Sequence, residues 1–409
     1  MNSVLANVFK PQLRSVPDLS LKQINTGLFG FPLSFGTSNT LATENSALTL
    51  SAFYNAIDIL SSDIAKLPKQ VFKKEGENRN KFTEHPVNFL LSTRPHPKMT
   101  PYDFWKTIEA LRLLKGNAFA EIIRNANTGT AVAWTIRDNK DIQVLETEEK
   151  LYYKYKDRLI DSADMLHFKG FSLDGKVGVG VVTYAAAQLG VSLENQSYGS
   201  TIYKNRGVSY GVIESDGPII DDNKRKISEG FTAKLSEQNP HKAPVLDEGL
   251  KYKSISITPA EAQFLETNKN GIIEVCRWLN IAPHKLKELG SANYSNIYQQ
   301  SIEHVQDSVL PRVISKEQEL DYKCFSEKER ATTYIKFNIN VLLRGDLSAK
   351  GDYYTKMILN GSMVRNEVRA FEDMNPLDGL DEPLQPLNMQ TIEMATEILK
   401  QQANGTNPK

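Results

Sequence analysis

The chain has 409 residues; 40% are hydrophobic, and 49 Lys and Arg balance 49 Asp and Glu, so the formal net charge is zero. A chain of this length is too long to fold around one hydrophobic core of ordinary size, which predicts roughly two to three domains or lobes. The charge balance excludes the strong positive excess with which tight nucleic-acid binders neutralise phosphates.

The two cysteines, Cys276 and Cys324, lie far apart in sequence with helical patterning. This spacing fits neither a disulfide framework nor a cysteine-based zinc site. No run approaches the roughly 18 to 20 apolar residues of a membrane span, and residues 1–13 lack the basic start and apolar stretch of a signal peptide. We therefore expect the protein to be made and assembled in the cytosol.

Residues 1–47 are rich in Ser, Asn, Thr, Pro and Gly, which predicts a poorly anchored arm. From Leu50 to Ile64, apolar residues recur every three or four positions and predict a helix, which Pro68 ends. A second helix should begin at Thr100, because this capping residue is followed by a proline and, three positions on, by an acid.

Several strand-like segments follow the second helix, at 118–124, 130–137, 151–156 and 165–169. Turn residues separate them, and no helix lies between them. The pattern therefore predicts an α+β lobe and not a repeating βαβ arrangement.

A long helix is predicted at about 178–205 and a short strand at 211–214. The next helix starts at Asp221 and is mostly polar, with an apolar stripe too narrow to bury it in a core of its own chain. A stretch with strand character follows at 243–257.

Another helix should start near Thr258 and end near Asn280. The loop behind it, 280–296, leads into a long helical run that Pro311 should kink, because proline removes one backbone donor and crowds the preceding turn. A strand-like stretch at 334–339, two short helices at 349–359 and 364–371, and a flexible tail complete the chain.

The sequence lacks the phosphate-binding P-loop, the nucleophile elbow of hydrolases and the His-Glu-x-x-His pair of metalloproteases. The remaining candidates have simpler interpretations. We interpret the glycines from Gly175 to Gly180 as a tight turn, His85 and His96 as turn residues beside prolines, and His167 as a half-buried sheet residue. The acids Asp378, Asp381 and Glu382 form a solvated loop or, alternatively, a cation site. We predict no catalytic residue, no metal and no cofactor.

Several short motifs occur in a characteristic order between about Leu50 and Asp381. They are Ile64-Ala65-Lys66-Leu67-Pro68, His85-Pro86 with Phe89-Leu90-Leu91, Met99-Thr100 with Phe104, Gly116-Asn117-Ala118-Phe119, Asp174-Gly175 to Gly180, Ile281-Ala282-Pro283-His284-Lys285-Leu286, Tyr294-Ser295-Asn296, Leu310-Pro311 and Asn366-Glu367-Val368-Arg369. In number, order and spacing they resemble the phage portal family, in the branch of long-tailed phages with lambda-like capsids. Ala282 and His284 depart from the Val and Pro more usual in that family's loop.

The resemblance implies a non-enzymatic ring subunit, usually one of twelve, around a DNA channel at the vertex where head and tail meet. The implied α+β portal fold has an α/β wing, a helical stem, a small β-containing clip, a kinked long helix and a helical crown. The implied regions are an arm (1–48), the wing (49–220), the first stem helix (221–238), the clip (239–258), the second stem helix (259–280), the tunnel loop (281–296), the kinked helix (297–333), the crown region (334–384) and a tail (385–409).

The resemblance also implies roles for individual residues. The tunnel loop would meet DNA through His284, Lys285, Lys287, Glu288 and Asn293. Neighbouring stems would touch through Ile227, Phe231, Leu235, Leu265, Ile272 and Cys276, and Pro311 would mark the kink.

The implied partners are further copies of the chain, double-stranded DNA without sequence preference, the terminase large subunit, a head–tail adaptor, and the major capsid and scaffold proteins. No membrane is involved. The implied location is the portal vertex of the virion, and the host cytoplasm during assembly. The alternatives are a divalent-metal enzyme acting on nucleic acid, another ring adaptor of a phage-like particle, or a portal of a gene-transfer particle or defective prophage.

Overall fold

Helices and small sheets alternate in the part of the chain that the computed structural model describes, residues 22–23, 41–204, 211–215, 217–218, 220–236, 250–254, 260–288, 294–343, 347–372 and 374–384. The α-helices are α1 (Glu44–Ala47), α2 (Ser51–Lys66), α3 (Pro86–Ser92), α4 (Pro101–Lys115), α5 (Val181–Lys204), α6 (Asp221–Ser236), α7 (Ala260–Leu279), α8 (Tyr294–Glu303), α9 (Leu310–Cys324), α10 (Leu347–Leu359) and α11 (Arg365–Phe371). The strands are β1 (Lys22–Gln23), β2 (Lys69–Glu75), β3 (Asn78–Lys81), β4 (Asn117–Arg124), β5 (Ala131–Arg137), β6 (Ile142–Glu146), β7 (Leu151–Tyr155), β8 (Arg158–Asp161), β9 (Met165–Lys169), β10 (Gly211–Ser215), β11 (Leu250–Ser254) and β12 (Thr333–Phe337).

The sheets are small, and their strands pair antiparallel throughout the described residues. Their strand orders are β1-β6-β7-β8, β10-β11, β12-β2-β3 and β5-β4-β9. Antiparallel pairs need no crossover helix, and the six strands from β4 to β9 follow one another with no α-helix between them. The prediction of a mixed helix and sheet fold of the α+β type is confirmed.

The chain forms two units, Met1–Ile339 and Asn340–Lys409. The resemblance implied a crown region that begins at 334, with the strand-like stretch at its start. In the structure β12 pairs with β2 of the first unit, Tyr334 opposite Phe72 and Phe337 opposite Lys69. The strand belongs to the first unit because its hydrogen-bonding partner lies there.

The helix predicted between Leu50 and Pro68 is α2, and the helix predicted to begin at Thr100 is α4. The Thr100 hydroxyl caps α4 by accepting a hydrogen bond from the Asp103 backbone N–H at 3.1 Å. Gly116 ends α4 in the left-handed conformation, with φ +76°. The apolar face of α2 is buried through Phe53, Leu60 and Ile64, and this face joins α2 to α5 and α7 in one core cluster.

An aromatic cluster fills the space between α4 and two of the sheets. The Trp105 ring contacts Trp134, Phe168 and Phe337 edge-on, with ring centroids 6.0, 5.8 and 5.4 Å away. Such edge-to-face pairs are favourable because the positive ring edge meets the negative ring face. The cluster fixes α4 against strands that come from distant parts of the sequence.

Two glycines of the run 175–180, Gly178 and Gly180, allow backbone to pack closely on backbone. A side-chain carbon on Gly178 would lie 2.1 Å from the carbonyl oxygen of Gly116, and one on Gly116 would lie 2.3 Å from the backbone of Val179. The Asn117 side chain joins the two segments, with its amide donating to Gly178 O at 2.7 Å and its oxygen accepting from Gly178 N at 2.8 Å. The run is therefore a packing junction.

The same Asn117 oxygen lies 2.9 Å from His167 Nε2, and the other nitrogen of that ring lies 3.1 Å from the Tyr153 hydroxyl. His167 is 2% exposed, so it is a fully buried sheet residue where the sequence predicted a half-buried one. Burial, with the nearby Lys323 and Lys169, holds the pKa of His167 well below its ordinary value. The ring stays neutral and structural at physiological pH.

Gly178→Ala should destabilise the protein by about 1–3 kcal/mol or more, because the methyl group overlaps a backbone carbonyl that cannot move alone. Gly230→Ala is the matched control. Its new side-chain carbon meets nothing within 4 Å, and alanine in an exposed helix is favoured over glycine by up to about 1 kcal/mol. Urea unfolding followed by circular dichroism checks both variants; equal midpoints would contradict the packing role of the junction.

One buried carboxylate, Glu109 of α4, is surrounded by cations. Its side chain is fully buried and pairs with Arg112 at 3.1 Å, with Arg312 at 3.3 Å, and with Lys316, itself 1% exposed at the side chain. Burial alone would raise the pKa of Glu109, but Lys316, Arg112 and Arg312 lower it below its ordinary value. Burial lowers the pKa of Lys316 to about 8, against the opposing influence of Glu109. This group joins α4 to α9.

Glu109→Gln should destabilise the protein by about 3–5 kcal/mol, because it leaves buried cations without their anion. A group whose folded-state pKa is lowered stabilises above its unfolded value, here 4.5, and loses that contribution as the pH falls through the folded value. The difference in the free energy of unfolding between wild type and Glu109→Gln should therefore be largest at pH 7 and should decrease as the pH falls.

Asp58→Asn is the control, since it breaks a partly exposed pair with Lys106 that contributes at most about 1 kcal/mol. Urea midpoints from pH 7 to pH 3, at one protein concentration, test the prediction. A loss in Glu109→Gln no larger than that in Asp58→Asn would contradict it.

The second unit contains α10 and α11. The Asn366 side chain holds the segment that follows α11, donating to Leu377 O at 2.9 Å and Asp381 Oδ1 at 2.8 Å while accepting from Leu377 N at 2.9 Å. Asp381 thus helps to fix a turn.

None of the helices in the described ranges is long and apolar enough to cross a membrane.

Candidate functional site

The long helices α5 and α7 pack side by side and run in opposite directions. Asn195 donates to Asn268 across the pair at 2.7 Å, and a side-chain carbon on Gly271 would lie 3.2 Å from the Ser192 hydroxyl. The small residues at this crossing let the two backbones approach closely. Between the two helices in the sequence, the described residues form the β10-β11 pair and α6.

This pairing revises one assignment. The sequence placed the first stem helix at 221–238, which is α6. In the structure α7 packs against α5 instead, and α6 lies between β10 and β11 in the chain. The described side chains of α6 are exposed, apart from a half-buried Ile227. Of the thin apolar stripe of α6, Ile227 is the residue whose side chain the structure describes.

The predicted stem contacts fall into separate environments. Ile272 and Cys276 face the core cluster of α2, α5 and α7, and Cys276 is 5% exposed within a single chain. That leaves Cys276 little surface to offer a second subunit. Burial, with the charge of Glu288, raises the pKa of the Cys276 thiol, so it is an unreactive core thiol. The side chains of Phe231, Leu235 and Leu265 lie outside the described residues.

The loop behind α7 has a firm base. α7 ends at Leu279, Asn280 takes a left-handed conformation with φ +49°, and Ile281 N–H donates to Cys276 O at 3.0 Å. Ile281 is buried in the core cluster, and Leu286 packs against it. Between them a 3-10 turn spans Pro283–Leu286. The sequence suggested no core role for this segment, yet its first half is part of the core.

The predicted DNA-facing residues of the loop differ in exposure. Both ring nitrogens of His284 are shielded from solvent, and burial together with Lys285 lowers the pKa of this imidazole. Lys285 and Glu288 are partly buried, whereas Lys287 is exposed. Asn293 lies outside the described residues. Within the described part of the loop, Lys287 is therefore the cation most available to a partner, and His284 serves the packing of the loop.

Lys287 has φ +65°, a conformation that L residues other than Gly, Asn and Asp rarely adopt. Two hydrogen bonds close the turn around it, Lys287 N to His284 O and Glu288 N to Pro283 O, both 3.2 Å. The turn sets the direction of the Lys287 side chain.

A single helical run, 294–324, follows the loop and changes its type in the middle. Residues His304–Val309 form π-helical turns between α8 and α9. Leu310 N–H donates to Val305 O, five residues back, and Pro311 comes next. The predicted irregularity at Pro311 thus coincides with a local widening of the helix.

His304, the first residue of the π turn, is buried and holds Asp63 of α2 through its Nε2 atom at 3.0 Å. Burial would raise the pKa of Asp63, but the hydrogen bond from His304 and the charge of Lys66 lower it. No local sequence pattern signals the pair of His304 and Asp63, because the two residues are 241 positions apart.

No group of three or more His, Cys, Asp or Glu side chains is placed to hold a metal ion within the residues that the structure describes. The acids Asp378, Asp381 and Glu382 are included in that statement, since all three lie in a described range. What the site offers chemically is one exposed cation on a well-anchored turn.

Comparison with known proteins gives the family. The sequence profile described as "Phage portal protein" matches residues 51–373, well over half of the chain. A probable portal protein of Streptomyces phage phiC31 is 28% identical over 380 residues, covering 86% of this chain and 81% of that protein.

Two solved structures have a similar fold. An HK97 family phage portal protein from Corynebacterium diphtheriae superimposes with a TM-score of 0.58 at 18% identity, over 75% of this chain and 98% of the other. A chain in the neck of a native gene transfer agent particle, computed with C12 symmetry, gives a TM-score of 0.52 at 16% identity, over 84% and 97%. Because the profile matches residues 51–373, which include both the helix pair and the loop, the chain belongs to the phage portal protein family.

Proposed function

We propose that copies of this chain assemble into a ring around an axial channel, through which double-stranded DNA passes at the head–tail vertex of a phage-like particle. The observation that carries this proposal is the family match over residues 51–373, which includes the α5–α7 pair and the loop behind it. A structural relative occurs in a particle neck computed with C12 symmetry, which supports a ring of twelve subunits.

The helix pair supports a revised division of the chain. We assign the stem to α5 and α7, because they pack antiparallel and flank one excursion. The clip is then the excursion 205–259, with β10, α6 and β11. The wing comprises the rest of the first unit, and the crown begins at Asn340 with the second unit. The arm at 1–48 and the tail at 385–409 stay as the sequence analysis placed them.

The polar helix α6 fits this division. Its described side chains are exposed except for the half-buried Ile227. A helix of 16 residues is marginal in water without tertiary packing. In a ring, α6 of one clip would pack on the next clip through Ile227, with Phe231 and Leu235, because ring contacts share the burial between subunits.

The loop 281–293 would then face the channel, with Lys287 directed to DNA. Twelve copies would present a ring of separate cations, each making a screened contact with phosphate that reads no base. Few contacts of this kind let a duplex slide, whereas many would hold it in place. The zero net charge of the chain agrees with a conduit.

The proposed partners follow from this role. ATP hydrolysis would be supplied by a terminase large subunit docked on the clip, and a head–tail adaptor would take the same surface after packaging. Major capsid and scaffold proteins would contact the wing. The chain itself would perform no chemistry. We propose assembly in the host cytoplasm and a final position at the portal vertex of the virion.

Electron microscopy of the purified protein, with mass photometry, tests the proposal. We expect rings of about twelve subunits with a hole wide enough for a DNA duplex. A stable monomer or dimer at high concentration, without rings at any salt, would refute the ring and with it the stem and channel assignments.

Lys287→Ala should weaken the binding of DNA to the rings equally for all sequences. For each phosphate that the lysine no longer neutralises, the slope of log affinity against log salt should fall in magnitude by about 0.9. Lys140→Ala is the matched control, since it removes a likewise exposed lysine from a turn beside β6. Fluorescence anisotropy over a salt series measures both slopes, and a slope in Lys287→Ala equal to that of wild type would exclude this residue from the channel surface.

A further inference from the structure

Proline at position 311 leaves backbone acceptors free in the helix that follows the loop. In the α pattern the N–H of residue 311 would bond to Asp307 O, and in the π pattern of this turn it would bond to Gln306 O. Proline has no N–H, so it supplies neither bond. The carbonyl of Asp307 is thus open to a donor from elsewhere in the molecule.

Asn280, at the end of α7, uses that carbonyl. Its side-chain amide donates to Asp307 O at 3.0 Å. Its own backbone carbonyl accepts a hydrogen bond from the hydroxyl of the next residue, Ser308. One asparagine is therefore bonded to two consecutive residues of the π turn. Its left-handed φ of +49° suits asparagine better than most residues, because its short polar side chain tolerates this conformation.

Arg312 adds a further bond to the same place. Its guanidinium donates to Leu279 O at 2.8 Å, a terminal carbonyl of α7, and to Ser308 O of its own helix. The same side chain pairs with the buried Glu109 at 3.3 Å. Arg312 therefore connects the end of α7, and with it the start of the loop, to the charged group inside the first unit.

We infer that Asn280, Asp307, Ser308 and Arg312, with Pro311 as the residue that frees the acceptor, form a latch that positions the loop 281–288. Asn280 and Arg312 are its positioning residues. That the loop faces DNA rests on the proposed function; the latch itself rests only on the contacts above. Its consequence for a portal is that a force applied to the loop reaches α9 and Glu109 directly, since the base of the loop cannot swing independently.

The latch gives Pro311 a role beyond bending the helix. Pro311→Ala restores an N–H that can bond within the helix and compete for the carbonyl that Asn280 uses. Alanine is also the better helix former. The variant should therefore unfold at a higher temperature while its loop opens more often. If Pro311 only shaped the helix, the loop in Pro311→Ala would open as often as in wild type, or less often as the whole protein became more stable.

Hydrogen–deuterium exchange of the full-length protein tests the latch. The amides of Lys285, Lys287 and Glu288 report on loop opening, because each bonds within the loop. Asn280→Gly keeps the backbone conformation and removes the donor, and Asn280→Asp replaces the donor by an acceptor that faces a carbonyl. Both variants, and Pro311→Ala, should speed exchange of these amides roughly fivefold, the effect of losing one hydrogen bond.

Asn125→Gly is the matched control. It removes a similar bond between an asparagine side chain and the backbone, in the turn 125–129, and should leave loop exchange unchanged. Unchanged loop exchange in both Asn280→Gly and Asn280→Asp would overturn the latch, as would equally fast exchange in Asn125→Gly.

The same samples examined by electron microscopy separate the two proposals. Faster loop exchange in a protein that forms no rings would support the latch and refute the proposed function. Rings of normal size with unchanged loop exchange would support the proposed function and refute the latch.

Discussion

The structure of the first unit depends on one buried carboxylate. Glu109 lies between α4 and α9 and is shared by Arg112, Arg312 and Lys316. Burying these cations without it would be costly, since an unpaired charge in the interior loses its hydration without compensation. Arg312 also binds the end of α7. Arg312 therefore contributes both to the stability of the core and to the position of the loop. For this reason we expect a change in the core to affect the loop, and a change in the loop to affect the core.

Family motifs that are weak in the sequence become direct contacts in the fold. Gly116 and Gly178 meet backbone to backbone, with Asn117 bonding across the junction. In the second unit, Asn366 fixes the turn that contains Asp381. Such positions tolerate few substitutions, because a methyl group would overlap the backbone or a buried amide would lose its partners.

The proposed role requires no catalysis, but it requires a mechanically rigid structure. A conduit needs a surface that touches DNA weakly and a frame that holds that surface still. The described loop offers one exposed lysine, Lys287, on a closed turn. Its base is anchored by buried Ile281 and by the bonds of Asn280 to the π turn. An exposed cation and a firmly anchored base are thus combined within a few residues.

The α+β class, the ends of α2 and α4, the polar character of α6 and the likeness to portal proteins could all be predicted from the sequence, because periodicity, capping and motif order are local properties. The pairing of the helices could not, since an apolar stripe shows that a face is buried but not against what. For that reason α6 was taken as the first stem helix when α5 is the partner of α7. The resemblance likewise implied a crown region that begins at 334, and only the fold shows that the strand at Tyr334 pairs with β2, far earlier in the chain. His284 and Lys287 looked alike in the sequence, yet the ring nitrogens of His284 are shielded from solvent and Lys287 is exposed. The bond from Asn280 to Asp307 and the ion pairs of Glu109 join residues that are distant in sequence, and such contacts exist only once the chain has folded.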